Sequence, residues 1–382
     1  MNEVEKPRIL VLSKTDVSRD PRPMKQIREL STDYHITTAS FGQAPVGTHQ
    51  HIELDPLPKQ KGIARIPGIF SLLQLFHLYR WYEALDSRIQ GPLRQMRGMK
   101  WDLIIAHDLQ TLPIADRLMS RHGVLVDLHE YAPAQDEPNL VWRILNAPHY
   151  RWLCRTRVRS AAAVTTVSQG IADEYRRHFG IKATVVVNAT PFHELNPGRA
   201  GAPLRLVHSG IAAPERRLEV LVKGMLLATA NATLDFYLID EFPVQRAQLE
   251  RLAAGDPRIR FHPALPYEQL VDTLNSYDLG LIVFPPTTFN LAWCLPNKFF
   301  DYIQARLGLV IGPSPEMTRY VNEFGLGVVT ESFAPEALAR TIESLTPERV
   351  MQWKANSHAS AMALAGERQS AIWAEIVHHL LS

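Results

Sequence analysis

Along most of this chain, short and nearly continuous apolar runs alternate with stretches whose hydrophobic positions repeat at helical spacing. The runs Ile9–Ser13, His35–Ser40, Leu103–His107, Val124–His129, Ala163–Ser168 and Thr184–Asn188 read as strands buried on both faces. Amphipathic segments such as Met24–Leu30, Leu112–Arg121 and Gln169–Phe179 lie between them. That alternation predicts a doubly wound parallel sheet. A polar break with proline and glycine, Pro191 to Pro203, is followed by a second series: Leu204–His208, Leu234–Ile239, Ile259–His262, Leu279–Phe284, Leu309–Gly312 and Gly327–Thr330. The expected organisation is therefore an N-terminal domain over 1–190, a linker over 191–203, a second domain over 204–346 and two closing helices over 347–382. Two such domains joined once would face a central cleft at the carboxyl ends of their strands, where open α/β sheets take ligands.

Length agrees with this division, since 382 residues exceed one typical core. A formal net charge of +2 argues against a nucleic-acid binder, whose charge is high and clustered. The two cysteines, Cys154 and Cys294, have no metal-ligand spacing and suggest a reducing compartment. Met1 to Pro7 carries acids and no apolar core, unlike a secretion signal. The apolar run from Ile69 to Tyr79 is too short to span a bilayer. A cytoplasmic chain is expected.

Dinucleotide chemistry would need a glycine-rich turn after the first strand. Lys14 to Pro23 contains no glycine, and no Walker A, G-x-S-x-G or H-E-x-x-H sequence is present. What remains is polar residues at strand ends. His107-Asp108 closes one strand and Asp127-Leu-His-Glu130 the next, so both groups are expected at the cleft. A histidine beside carboxylates serves as a general base, binds a sugar hydroxyl, or is a satisfied structural residue. His208-Ser-Gly210 ends a later strand and is followed by Glu215-Arg216-Arg217, where an arginine can neutralise a leaving diphosphate or simply be solvated.

The stretch from Cys294 to Asp301, with the buried run ending at Ile311, carries the most chemistry. Pro296 and Asn297 suit a helix start, Asn297 as a side-chain cap. Free N–H groups there can hold an anion beside Lys298, with Asp301 one turn inside. A diphosphate with a ribose behind it fits this layout. So does an ordinary βαβ unit with a solvated aspartate.

Taken in order, Ser18-Arg-Asp-Pro-Arg22, Ile105-Ala-His-Asp108, Val126 to Tyr131, Ala163 to Ser168, Val186-Val-Asn188, Gly210 with Arg216, and Leu295 to Tyr302 resemble the retaining GT-B-fold glycosyltransferases of the glycosyltransferase family 4 type. The resemblance covers nearly the whole length. It implies an α/β protein of two Rossmann-like doubly wound domains, with the last helix crossing back to the N-terminal domain. It implies transfer of a sugar from a nucleoside diphosphate sugar to a glycan or lipid-linked acceptor of the cell envelope, with retention and without a metal or other cofactor. Carried over, His129, flanked by Asp108 and Glu130, falls at the catalytic site. Gly210, Arg216, Cys294, Leu295, Pro296, Asn297 and Lys298 would surround the donor diphosphate, and Asp301, usually Glu in the family, the ribose. The pattern departs at Trp293, where the family has a sugar-binding carboxylate, and at Ile211, where a basic residue is common.

Two segments, Lys61–Lys100 and Val141–Ser160, interleave Lys/Arg with aromatic residues. Such segments either rest on an anionic membrane surface, suiting a lipid-linked acceptor and peripheral attachment to the inner face, or pack their aromatics inward and solvate their arginines. Nucleic acid is not an expected partner. Two other functions stay open: a nucleotide-sugar epimerase of the same fold, and a non-catalytic nucleotide-sugar- or partner-binding protein, which Trp293 would favour.

Overall fold

The computed structural model describes residues 6–56, 58–60 and 62–382. The N-terminal stretch Met1–Glu5 and Lys61, both used above, lie outside the described residues. The chain divides into two compact units: the described residues up to Val187 together with Gln369–Ser382, and Asn188–Arg368.

The first unit contains β1 (Arg8–Asp16), β2 (His35–Phe41), β3 (Gln50–Glu53), β4 (Lys100–Trp101), β5 (Leu103–His107), β6 (Met119–Ser120), β7 (Val124–Leu128), β8 (Ala163–Thr166) and β9 (Thr184–Val185). Seven of them form one sheet in the order β3-β2-β1-β5-β7-β8-β9, and β4 pairs with β6 separately. The described pairings are parallel. Ile9, Val11, Ile36, Leu103, Ile105 and Leu125 fill one core with Val377 of the last helix. Each such side chain contributes about 1.5–3 kcal/mol on burial. Strand order reverses between β1 and β5, the place where a doubly wound sheet opens a crevice at its carboxyl edge.

Two expectations need correction here. The helix foreseen over Leu112–Arg121 ends at Ala115, because all four residues of that turn are buried and Met119–Ser120 pairs with Lys100–Trp101 instead. The strand Gln50–Glu53 went unseen, since an edge strand with exposed ends lacks the apolar run of a central one. The apolar run from Ile69 splits into helices Ile69–Leu75 and Tyr79–Leu85 around His77, whose φ is 57°. No helix among the described residues is long and apolar enough to cross a membrane.

The second unit holds β10 (Leu204–Ile211), β11 (Ala232–Ile239), β12 (Ile259–Pro263), β13 (Leu279–Ile282), β14 (Gly308–Ile311) and β15 (Gly327–Val329). They form one parallel sheet in the order β12-β11-β10-β13-β14-β15, with its reversal between β10 and β13. The stretch 191–203 belongs to this unit. It is anchored by the buried Arg306, which donates to the carbonyls of His193 (2.5 Å) and Leu195 (3.1 Å). Two helices close the chain, Pro347–Ser360 and Gly366–Leu381, and residues from Gln369 onward belong to the first unit.

Candidate functional site

In the first unit, register places His107 directly beside Asp127 at the ends of β5 and β7. Asp20 caps the helix Pro21–Leu30 by accepting from the Arg22 N–H, which sets Arg22 at the start of that helix. The Arg22 guanidinium then forks onto Asp127, Nε to Oδ2 at 2.8 Å and Nη2 to Oδ1 at 2.5 Å, and donates to the Val186 carbonyl at 2.6 Å. The Thr165 hydroxyl donates to the same carboxylate at 2.6 Å, and Trp373 stacks on the guanidinium at 4.7 Å. Burial alone would push the Asp127 carboxyl up; Arg22 and His129 outweigh it and hold the group well below the ordinary range.

Within the two strand-end groups expected at the cleft, exposure is uneven. His107 and Asp127 are 1% and 0% exposed, whereas the side chains of His129 and Asp108 retain 23% and 29%. His107 Nε2 lies 3.0 Å from Gln26 Oε1, so that nitrogen carries the proton and Nδ1 accepts from His129 Nε2, also at 3.0 Å. Burial lowers His107 to about 4. His129 is raised: burial opposes its charge, but Asp108 and Asp127 together prevail. Glu130 is pushed up to about 7 by burial and by the Asp108 charge.

Asp108 sits at φ 61°, ψ 163°, a conformation costing an L residue about 1–3 kcal/mol. Two hydrogen bonds hold it there: its N–H donates to the Asp127 carbonyl at 2.9 Å, and its Oδ1 accepts the His129 N–H at 3.0 Å. The ligand atoms of His107, Asp127 and His129 lie within 4.8 Å of one another, a spacing a metal ion can use. Here Arg22 already neutralises the carboxylate, and the two imidazoles bond to each other.

In the second unit, the residue of β10 just before its last, Ile211, is Gly210, with φ +127°. A Cβ there would meet Lys298 Nζ at 2.9 Å, so the ammonium lies against the strand beside the glycine. Lys298 belongs to the helix Asn297–Gln304, whose N-cap is Pro296 and which no side chain caps. The expectation of Asn297 as the cap is thereby corrected; its Oδ1 instead accepts from Asn188 Nδ2 at 3.0 Å. The helix is fixed to β10 by Tyr302, whose hydroxyl accepts the Ser209 N–H at 2.9 Å. Gly280 makes room for that ring, since a Cβ would stand 2.1 Å from it.

Arg216 ends the short turn Pro214–Arg216 and lies over the Phe284 ring at 4.9 Å. Its Nη1 is buried with no acceptor. Lys298 is lowered to about 7, first by burial and then by Arg216. Two cations, one with an orphan buried N–H group, meet an uncapped helix start; an anion would satisfy all three. Arg217, by contrast, is exposed and paired with Glu219. Cys294 Sγ donates to the Leu291 carbonyl at 3.3 Å, Leu295 is buried, and Asp301 is 4% exposed and accepts the Thr190 hydroxyl at 2.5 Å. Trp293 is partly exposed at the end of the helix Phe289–Ala292, its ring 6.3 Å from that of Phe289. Arg22, Gln26, His208 and Thr190 were not singled out in sequence as site residues. Arg22 and His208 carried a signal, as the last residue of Ser18–Arg22 and the first of His208-Ser-Gly210.

The helix Ile69–Leu75 and the helix Leu140–Thr156 are joined by a hydrogen bond from Gln74 Nε2 to Asn146 Oδ1 at 2.9 Å. Tyr79, His149 and Trp152 stack inward. Leu72, Leu75, Phe76, Trp81, Leu140, Val141 and Ile144 are nevertheless exposed, beside exposed Arg80, Arg143 and Arg151.

Residues 43–190 match the family model of a glycosyl transferase 4-like domain. No curated protein sequence matches the chain. Among solved structures the chain is similar to HepE of Anabaena in complex with UDP and glucose (TM-score 0.68, 12% identity, 98% of this chain and 100% of that one covered). It is likewise similar to the sucrose-phosphate synthase of Thermosynechococcus elongatus (0.67, 14%, 98% and 99%) and to WaaG, a glycosyltransferase involved in lipopolysaccharide biosynthesis (0.60, 12%, 95% and 99%). At these identities the likeness shows the fold: two Rossmann-like units of the GT-B type. With the domain match, it supports glycosyl transfer as the general activity.

Proposed function

We propose that this protein transfers a sugar from a nucleoside diphosphate sugar to a glycan or lipid-linked glycan of the cell envelope, with retention and without a metal. The observation that carries the reading is the pair of cations at an uncapped helix start, Lys298 against Gly210 and Arg216 with one guanidinium nitrogen lacking an acceptor. A leaving diphosphate supplies the missing acceptors, and its developing charge is what these groups stabilise best. The backbone from Cys294 to Asn297 frames the same anion, and Asp301 with its bound Thr190 hydroxyl is assigned to the ribose. His129, Asp108 and Glu130 are assigned to the transferred sugar and acceptor; Asp108 and Asp127 raise His129 above its ordinary value, which favours a hydrogen-bond-donating role there. Glu130, titrating near 7, is the group suited to carry a proton.

The exposed apolar residues around Phe76 and Val141, with arginines beside them, support contact with an anionic membrane and hence a lipid-linked acceptor. Flotation with phosphatidylglycerol-containing vesicles tests that part, and protein that stays in the dense fraction refutes it. The reaction is tested by incubating the protein with UDP-, GDP- and ADP-sugars, with and without a glycolipid extract, and analysing the products. Acceptor-dependent transfer supports the reading. Isomerisation of a sugar nucleotide without acceptor would instead identify an epimerase, and binding with no turnover a non-catalytic protein.

A further inference from the structure

His208 lies inside the second unit at the end of β10, 1% exposed, and no role was assigned to it above. Its Nδ1 is 2.9 Å from the Leu281 carbonyl, which can only accept, so Nδ1 carries the ring proton. Nε2 then presents a lone pair, and the Lys298 ammonium stands 3.0 Å away from it. The bond therefore has a single direction: Lys298 donates and His208 accepts. A Cβ at Gly210 would stand 2.9 Å from the same ammonium, so the glycine is what lets Lys298 lie this close to the strand.

We infer that His208 is a positioning residue of the donor site, which fixes the Lys298 ammonium beside Gly210 by accepting its hydrogen bond and so keeps it aimed where a diphosphate binds. The inference rests on the donor-site reading for its purpose, though not for its geometry. Its physical sense follows from the neighbours of Lys298. Arg216 repels the ammonium and burial disfavours it, while Asp301 and Cys294 favour it. Without the His208 acceptor, Lys298 would hold its proton still less firmly or swing away from Arg216. His208 is well suited to the task because burial, Lys298 and Arg216 all keep it neutral, so its lone pair stays available across the working range.

Two substitutions separate the two ring nitrogens. His208→Gln puts an amide oxygen where Nε2 was, keeping an acceptor for Lys298 and giving up the Leu281 bond. His208→Asn keeps a donor to Leu281 and gives up the acceptor. Each loses one hydrogen bond, so their melting temperatures should be similar and a purely structural role would not distinguish them. The first measurement needs no ligand: the titration midpoint of Lys298, followed by competitive acetylation and peptide mass spectrometry. We expect His208→Asn to lower that midpoint by about one unit, roughly a tenfold loss of ammonium at a fixed pH above it, and His208→Gln to restore most of it. The second is UDP, GDP and ADP affinity by calorimetry at pH 6 and pH 8. The nucleotide that binds the wild-type chain should bind His208→Asn about tenfold more weakly at pH 8, and His208→Gln within about twofold of wild type. An unchanged Lys298 midpoint in His208→Asn, or equal effects of the two variants, overturns the inference. A midpoint that moves as expected in a protein that binds no nucleoside diphosphate leaves the positioning in place and overturns the donor-site reading.

Discussion

Arg22 and Asp127 stand 105 positions apart and form a bidentate ion pair with side chains 3% and 0% exposed. The pair joins the start of the helix Pro21–Leu30 to the end of β7, two residues before His129. It makes Asp127 a fixed charge beneath His129, unable to act as a base.

Removing Arg22 strands a buried carboxylate. Arg22→Met should cost about 3–5 kcal/mol in urea denaturation of the full chain. Arg22→Lys should recover only part, because an ammonium cannot fork onto both oxygens. A loss under about 1 kcal/mol for Arg22→Met would contradict the role given to the pair.

Glu130 gives a pH signature of opposite sign to that of an ordinary ion-paired carboxylate. Its folded value, about 7, lies above the ordinary 4.5, so the folded state binds a proton that the unfolded state has released. Stability from this group therefore falls as pH rises from 4.5 to 7 and is flat above. Glu130→Gln should raise the melting temperature at pH 8 and leave it nearly unchanged at pH 4. Equal shifts at both would show that Glu130 titrates normally.

Asp108 favours the charged form of His129, with carboxylate and imidazole 3.5 Å apart. Asp108→Asn keeps an acceptor for the His129 N–H and removes the charge. The His129 titration followed by NMR should move to lower pH. No movement would mean that Asp127 alone sets its protonation.

The donor helix depends on the Tyr302 ring lying over Gly280. Gly280→Ala places a methyl 2.1 Å from that ring, and we expect destabilisation of about 1–3 kcal/mol together with weakened nucleotide binding. Tyr302→Phe, which leaves the buried Ser209 N–H without its acceptor, should cost about 1–2 kcal/mol. A Gly280→Ala protein of unchanged stability would mean that the helix is free to shift.

The sequence made the doubly wound parallel architecture accessible because central strands such as Leu103–His107 are apolar throughout and their connections are amphipathic. Two strands were not legible: Gln50–Glu53 is polar, and Met119–Ser120 looked like the end of a helix. At the site, local spacing placed Lys298 and Asp301 on one helix after Pro296. It could not show that His208 lies under Lys298, ninety positions away, or that Arg22 closes on Asp127. Those contacts depend on which strands are neighbours, a property of the folded sheet. The Asn297 cap failed for a related reason: its side chain bonds to Asn188, a partner local pattern does not reveal.

The most direct test of the donor site is calorimetric titration of the wild-type chain and Arg216→Ala with UDP, GDP and ADP. We predict saturable binding of one of them to the wild type and at least about tenfold weaker binding to Arg216→Ala, the loss of a charge-assisted contact to phosphate. Absence of binding by all three nucleotides, or equal affinity in the two proteins, would contradict the account.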